Sequence, residues 1–160
     1  MITKDSYDTE YYSRIERSER NKKKFKAVLN ILKESNTVRI LNLGCGNGYM
    51  DKDLSDLGYN VTSTDFSDYA GKLAPKFIKH DIREKLPFGD KEFDAVICLD
   101  VLEHLLENEL GPVISEICRV SDLRIIEVGF RHEKLFSTHQ TIHPKEWWTE
   151  KLKGCVLINR

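Results

Sequence analysis

An excess of basic residues is missing from this sequence: 25 lysines and arginines stand against 26 aspartates and glutamates, for a formal net charge of −1 at pH 7. Domains that hold nucleic acid by its phosphates carry a positive field, so no nucleic-acid partner is expected beyond what a local patch can do. No apolar run approaches the roughly 20 residues that cross a bilayer, and no membrane partner is expected. The opening residues Met1-Ile2-Thr3-Lys4-Asp5 are polar and acidic, unlike a secretory leader. Glycine (9) and proline (4) are too sparse for collagen-like or low-complexity chains. Cys45, Cys98, Cys118 and Cys155 form no C-x-x-C pair, which argues against a disulfide framework or a cysteine zinc site and for a cytoplasmic location.

What is present is 160 residues, 40% of them hydrophobic, about one ordinary domain. No repeat or Gly/Ser/Pro linker divides the chain, so residues 1–160 are expected to form one domain. Residues 1–13, rich in tyrosine and acid, read as an N-terminal arm or lid. Phe25, Val28, Leu29 and Leu32 recur at helical spacing and predict a helix over about 15–33. Its other face carries Arg17, Arg20, Lys22, Lys23 and Lys26, a solvated surface or at most a weak phosphate or RNA contact. Strand-like runs follow at 38–43, 59–65, 76–81, 93–99, 123–129 and 154–159. Helical segments are expected at 49–57, 66–75, 101–120 (disturbed at Gly111-Pro112) and 145–152. Strands that alternate with helices, the central ones apolar throughout, predict an α/β fold. It is Rossmann-like and doubly wound, a mostly parallel sheet flanked by helices on both faces, with about six strands. Ligands of such sheets bind beyond the carboxyl ends of the strands.

The first strand runs directly into Gly44-Cys45-Gly46-Asn47-Gly48. Glycine admits positive φ and lets a ligand lie against bare backbone, though a tight strand-to-helix turn needs the same residues. The spacing is G-x-G-x-G, not the G-x-G-x-x-G of dinucleotide binders, so the third glycine falls early for a helix end that cradles pyrophosphate. Asp65 closes the second strand, where a carboxylate can accept both ribose hydroxyls, and Asp81 closes the third, within reach of an exocyclic amine. Either aspartate alone is as well read as a cap or turn residue. Together the three strand ends describe a nucleoside without a diphosphate, such as S-adenosylmethionine.

The series Leu41-Asn42-Leu43-Gly44-Cys45-Gly46-Asn47-Gly48, Asp65, Asp81-Ile82 and Leu99-Asp100-Val101-Leu102-Glu103-His104 resembles the motifs of class I S-adenosylmethionine-dependent methyltransferases. It is most similar to the small-molecule branch with D/E-V-L-E-H after the fourth strand, and the likeness covers about residues 38–130. The resemblance implies Gly44, Cys45, Gly46 and Gly48 against the methionine and ribose portion, and Asp65 on the ribose hydroxyls with Phe66 beside the adenine. It implies Asp81 at the adenine amine with Ile82 on the ring, and Leu99 and Asp100 beneath the sulfonium. Tyr7, Tyr11 and Tyr12 resemble the tyrosine-bearing arm that closes over the cofactor in this branch. One departure is the C-terminal end: the family sheet ends in an antiparallel pair, and after Leu152 there are residues for one strand only. That shortened end leaves the fifth-strand edge open to pairing, including as a homodimer.

The expected reaction is methyl transfer to an oxygen or nitrogen of a small-molecule or glycan-like acceptor. Positioning supplies much of the rate, and a base is needed only where the acceptor holds its proton. His104, His139 and His143 are the candidate catalytic residues; His104 reads equally as packing, and residues 131–144 form the acceptor-side loop. Both tryptophans, Trp147 and Trp148, read as packing for a helix that starts at Pro144. Asp100, Glu103 and His104 with a later histidine would also make a set able to hold a divalent metal. Small-RNA 3′-end methyltransferases use E-x-x-E-H plus a distant histidine for this, which keeps a metal-assisted RNA 3′-end methyltransferase open as a second reading. Asp replaces the first Glu here and the later spacing is not matched, so no metal is assigned. A catalytically silent S-adenosylmethionine-binding regulatory protein would carry the same cofactor residues. A nicotinamide-dependent oxidoreductase is disfavoured by the loop spacing.

Overall fold

The structure, a computed structural model, describes residues 19–130 and 138–158. The N-terminal arm, Arg17 and the first part of the acceptor-side loop, residues 131–137, lie outside them. In chain order the elements are α1 (Glu19–Lys33), β1 (Arg39–Leu43), α2 (Tyr49–Asp56), β2 (Asn60–Asp65), β3 (Phe77–Lys79) and β4 (Ala95–Leu99). A 3₁₀ turn (Leu102–His104), α3 (Glu107–Val120), β5 (Leu123–Glu127), α4 (Lys145–Lys151) and β6 (Val156–Leu157) follow. The six strands form one sheet in the order β3-β2-β1-β4-β5-β6, and every neighbouring pair is parallel. The order reverses between β1 and β4, which places the switch point where the glycine loop leaves β1.

Alternation along the strands divides the core in two. Leu41, Leu43, Val96, Cys98 and Ile126 face Leu110, Val113 and Ile117 of α3 and Trp148 of α4. Ile40, Val61, Ala95, Ile97 and Ile125 face Val28 and Leu32 of α1 and Leu54 of α2. Successive side chains point to opposite faces of a strand, so strands with apolar residues on both faces, as in β1 and β4, must be covered on both sides, as they are here.

Three expectations are corrected. Residues 66–76 form turns, not a helix: the Gly71 and Leu73 N–H groups donate to the Gly46 and Asn47 carbonyls at 2.7 and 3.0 Å, and Pro75 disfavours a helical Ala74. Those bonds fasten the segment onto the glycine loop. The single helix expected over 101–120 is a 3₁₀ turn followed by α3, which runs unbroken through Pro112. The cost is one missing hydrogen bond, to the carbonyl of Asn108 one turn back; Asn108 is exposed, so water can serve that oxygen. Finally, β6 lies directly on β5 and parallel to it, pairing at Ile125–Val156 and Ile126–Leu157, so β5 is covered over that stretch. All four cysteines are free thiols.

Candidate active site

The carboxyl ends of β1, β2 and β4 open onto a cavity of about 370 Å³, the size of an ordinary small-molecule site. Gly44, Cys45, Gly46 and Asn47 of the loop after β1 line it, with Asp65 and Phe66 from β2 and Leu99, Asp100 and His104 from the end of β4. Lys22, Lys24 and Phe25 of α1 and Tyr49, Met50 and Asp53 of α2 are also on the wall.

The loop is shaped by steric necessity. Gly44 has φ 74°, and a Cβ there would stand 2.3 Å from Val101 Cγ2, so both its backbone and its surroundings exclude a side chain. Gly48 caps the start of α2 at φ 84°; a Cβ there would strike the Ala74 backbone nitrogen at 2.5 Å, and Gly48 is not on the cavity wall. The Asp65 carboxylate, 7% exposed, accepts the Gly46 N–H at 3.0 Å on one oxygen and the Ser67 N–H at 3.0 Å on the other. The Asp65 carboxylate therefore braces the loop from the end of β2 while it lines the cavity.

Beneath the loop lies a buried polar set that no sequence motif announces. Asp51 of α2 accepts Ser63 Oγ at 2.5 Å and Asn42 Nδ2 at 3.0 Å, and its burial raises its pKa. The signal in the sequence is Asn42, a lone amide within an apolar strand, which must find a partner. Lys24 is a second residue that pattern alone does not single out. It falls four residues before Val28, on the apolar stripe of α1, and is only 9% exposed. Its ammonium pairs with Asp100 and stands 3.2 Å from Glu127, while Arg20 reaches Asp100 at 3.2 Å. Asp100 sits at φ 55°, a backbone state that aspartate tolerates better than most residues. Burial raises the Glu127 pKa and the Asp100 charge adds to this, with Lys24 opposing. Thus Arg20, one residue of the basic face expected to be solvated, is tied to the end of β4 while remaining half exposed.

His104 lines the cavity and donates from Nδ1 to the Thr138 carbonyl at 3.1 Å. His139 meets it edge to face, with ring centroids 4.9 Å apart. Glu103, fully buried, accepts the Gly129 N–H at 2.7 Å; burial and the nearby Asp100 push its pKa up to about 8. The later segment is tied to this turn, since the Gln140 and Thr141 N–H groups both donate to the Glu103 carbonyl and Thr141 Oγ1 donates to Leu105 O at 2.7 Å. His143 lies apart, its Nε2 2.9 Å from Glu107 Oε2 and its ring stacked on Trp147 at 3.9 Å. Trp148 is fully buried, as packing requires. Asp81 and Ile82 are also off the cavity wall: Arg83 takes both Asp81 oxygens and lowers the Asp81 pKa, while Ile82 packs against the α3 side of the core.

Comparison with known proteins gives the family. The methyltransferase domain family matches residues 41–122, and the chain belongs to that family, with a class I S-adenosylmethionine-dependent methyltransferase fold. A ubiquinone biosynthesis O-methyltransferase from Rickettsia bellii is 32% identical over 93 residues, 52% of this chain and 38% of the relative. A malonyl-[acyl-carrier protein] O-methyltransferase from Buchnera aphidicola is 34% identical over 89 residues, 52% of this chain and 35% of the relative. A crystal structure from Pyrococcus horikoshii superimposes with TM-score 0.56 at 29% identity, covering 70% of this chain and 60% of that one. The chain spans under four-tenths of the length of the two named relatives. Among the described residues no helix is long and apolar enough to cross a membrane.

Proposed function

We propose that this cavity takes S-adenosylmethionine, the methyl donor of the family, and that the chain carries methyl transfer to an oxygen of a small-molecule acceptor. The observation that carries the reading is convergence: the glycine loop, Asp65 with Phe66, and Leu99 with Asp100 all front one cavity. Asp65 accepts from the ribose hydroxyls at the end of β2, and Phe66 flanks the adenine. Asp81 meets the adenine amine only if Arg83 releases it, so the base is held mainly by stacking.

The sulfonium then lies toward Leu99 and Asp100, with His104 on the acceptor side. When bound, the donor would supply a methyl group on a sulfonium sulfur: an acceptor oxygen would form the O–CH₃ bond as the S–CH₃ bond breaks, leaving a neutral thioether. The acceptor proton passes to His104 Nε2, whose lone pair is fixed by the Nδ1–H bond to Thr138. An oxygen acceptor is favoured over nitrogen because the two named relatives are O-methyltransferases.

Calorimetry tests the reading. S-adenosylhomocysteine is expected to bind and NAD not to; binding of NAD alone overturns it. Binding of S-adenosylhomocysteine without turnover across a screen of hydroxyl acceptors would instead identify a silent cofactor-binding protein.

A further inference from the structure

Asn42 and Ser63 stand opposite each other in the register of β1 and β2, so their side chains leave the same face of the sheet side by side. That face is the one α2 covers, because Ile40 and Val61, two residues earlier on each strand, pack with Leu54. Asp51, in the first turn of α2 and fully buried, meets both. Its Oδ1 accepts the Ser63 hydroxyl at 2.5 Å, and each of its oxygens stands 3.0 Å from Asn42 Nδ2. Its own backbone N–H is a third donor, and the start of a helix also favours a negative charge. An ionised carboxylate only accepts hydrogen bonds. Asp51 therefore fixes which way the Asn42 amide points, with Nδ2 toward the helix and Oδ1 away from it. Asn42 also lines the cavity, and among the described residues its side chain bonds to Asp51 alone.

We propose that Asp51 is a positioning residue: it presents Asn42 Oδ1 to the cavity as an acceptor for the α-ammonium of the methyl donor. The assignment rests on the cofactor reading above. That donor has two cationic centres, and only the ammonium carries N–H groups to give an amide oxygen. Its other donating groups are already placed by the same reading, the ribose hydroxyls on Asp65 and the adenine beside Phe66. The methionine end is left for the β1 side, where Asn42 precedes Gly44 and Cys45 on the cavity wall. An amide held one way round offers an oxygen to a cation, and the same amide turned over offers N–H groups that repel it. The contact with Asp51 decides between the two.

The test is calorimetry of the full chain with two ligands, S-adenosylhomocysteine and its analogue lacking the α-amino group. The unaltered chain is expected to bind the first about tenfold tighter, as one hydrogen bond to a charged group supports. Asn42→Leu and Asp51→Ala are each expected to remove most of that preference. Exchanging the pair, Asn42→Asp with Asp51→Asn, is expected to restore it, because the contact and the cavity-facing oxygen both survive. The ratio of the two affinities separates positioning from support, since a residue that only holds the loop weakens both ligands alike. Circular dichroism reports folding. Should Asp51→Ala fail to fold, Asp51→Asn decides: its amide can donate to Asn42 Oδ1 and let that side chain turn over, so the preference falls until Asn42→Asp is added. S-adenosylhomocysteine binding with a preference unchanged in the Asp51 or Asn42 single variants overturns this assignment and leaves the cofactor reading intact. No binding of S-adenosylhomocysteine to the unaltered chain overturns both.

Discussion

Asp65 Oδ2 accepts the Gly46 N–H at 3.0 Å, so the carboxylate that ends β2 sets the shape of the loop that follows β1. Replacing it by alanine removes a brace and a ligand contact together. Asp65→Ala is expected to weaken S-adenosylhomocysteine by about 1–3 kcal/mol, the cost of leaving polar partners unmet. Calorimetry measures this, and an unchanged dissociation constant excludes Asp65 from the cofactor site.

The contact between Gly44 and Val101 gives a sharper steric prediction. Gly44→Ala places a methyl 2.3 Å from Val101 Cγ2 at φ 74° and is expected to destabilise by about 1–3 kcal/mol from overpacking, with further loss from the left-handed backbone. Gly58→Ala, at φ 95° with nothing within 4 Å, carries only the backbone penalty. Adding Val101→Ala to Gly44→Ala recovers part of the loss, and denaturant melts of the single and double variants show whether the two sites couple.

Lys24 stands between two carboxylates, so its removal strands Glu127. Lys24→Met is expected to cost about 3–5 kcal/mol, the range for breaking a buried ion pair from one side. Adding Glu127→Gln restores much of it by removing the uncompensated charge. Equal stability of the single variant and the unaltered protein shows that α1 is not held by this pair.

The start of β1 makes a prediction about acid. Asp94 accepts the Val38 and Arg39 N–H groups and the Arg39 guanidinium, which lower its pKa from 3.8 to about 2, the guanidinium contributing most. A depressed carboxylate contributes stability above its unfolded value that is lost as pH falls through its folded value. Asp94→Asn is therefore expected to flatten the decline in stability between about pH 4 and pH 2, read from thermal melts across that window.

The sheet was legible in the sequence because apolar strands and helical stripes alternate with clear turn residues between them. Gly44, Gly46 and Asp65 were legible because strand ends are where an open parallel sheet binds ligands, and Phe66, Leu99, Asp100 and His104 through the family resemblance of their motifs; all seven front the cavity. Local pattern failed where contacts across the molecule decide. The turns of 66–76 exist because carbonyls of the glycine loop take their N–H groups, and Pro75 marks only where a helix there would have to stop. Lys24 was hidden by its charge: a lysine on an apolar stripe reads as an edge position until its partners on other strands are known. His139 and His143 were equivalent by type and neighbourhood in the sequence, and only the fold separates one beside Glu103 from one stacked on Trp147.

Two backbone N–H groups, from Gln140 and Thr141, fasten their segment to the Glu103 carbonyl. With that clasp closed, the position of His139 no longer depends on how many residues intervene after Gly129. The imidazole is therefore set by the register of its anchor and not by counting along the chain from β5.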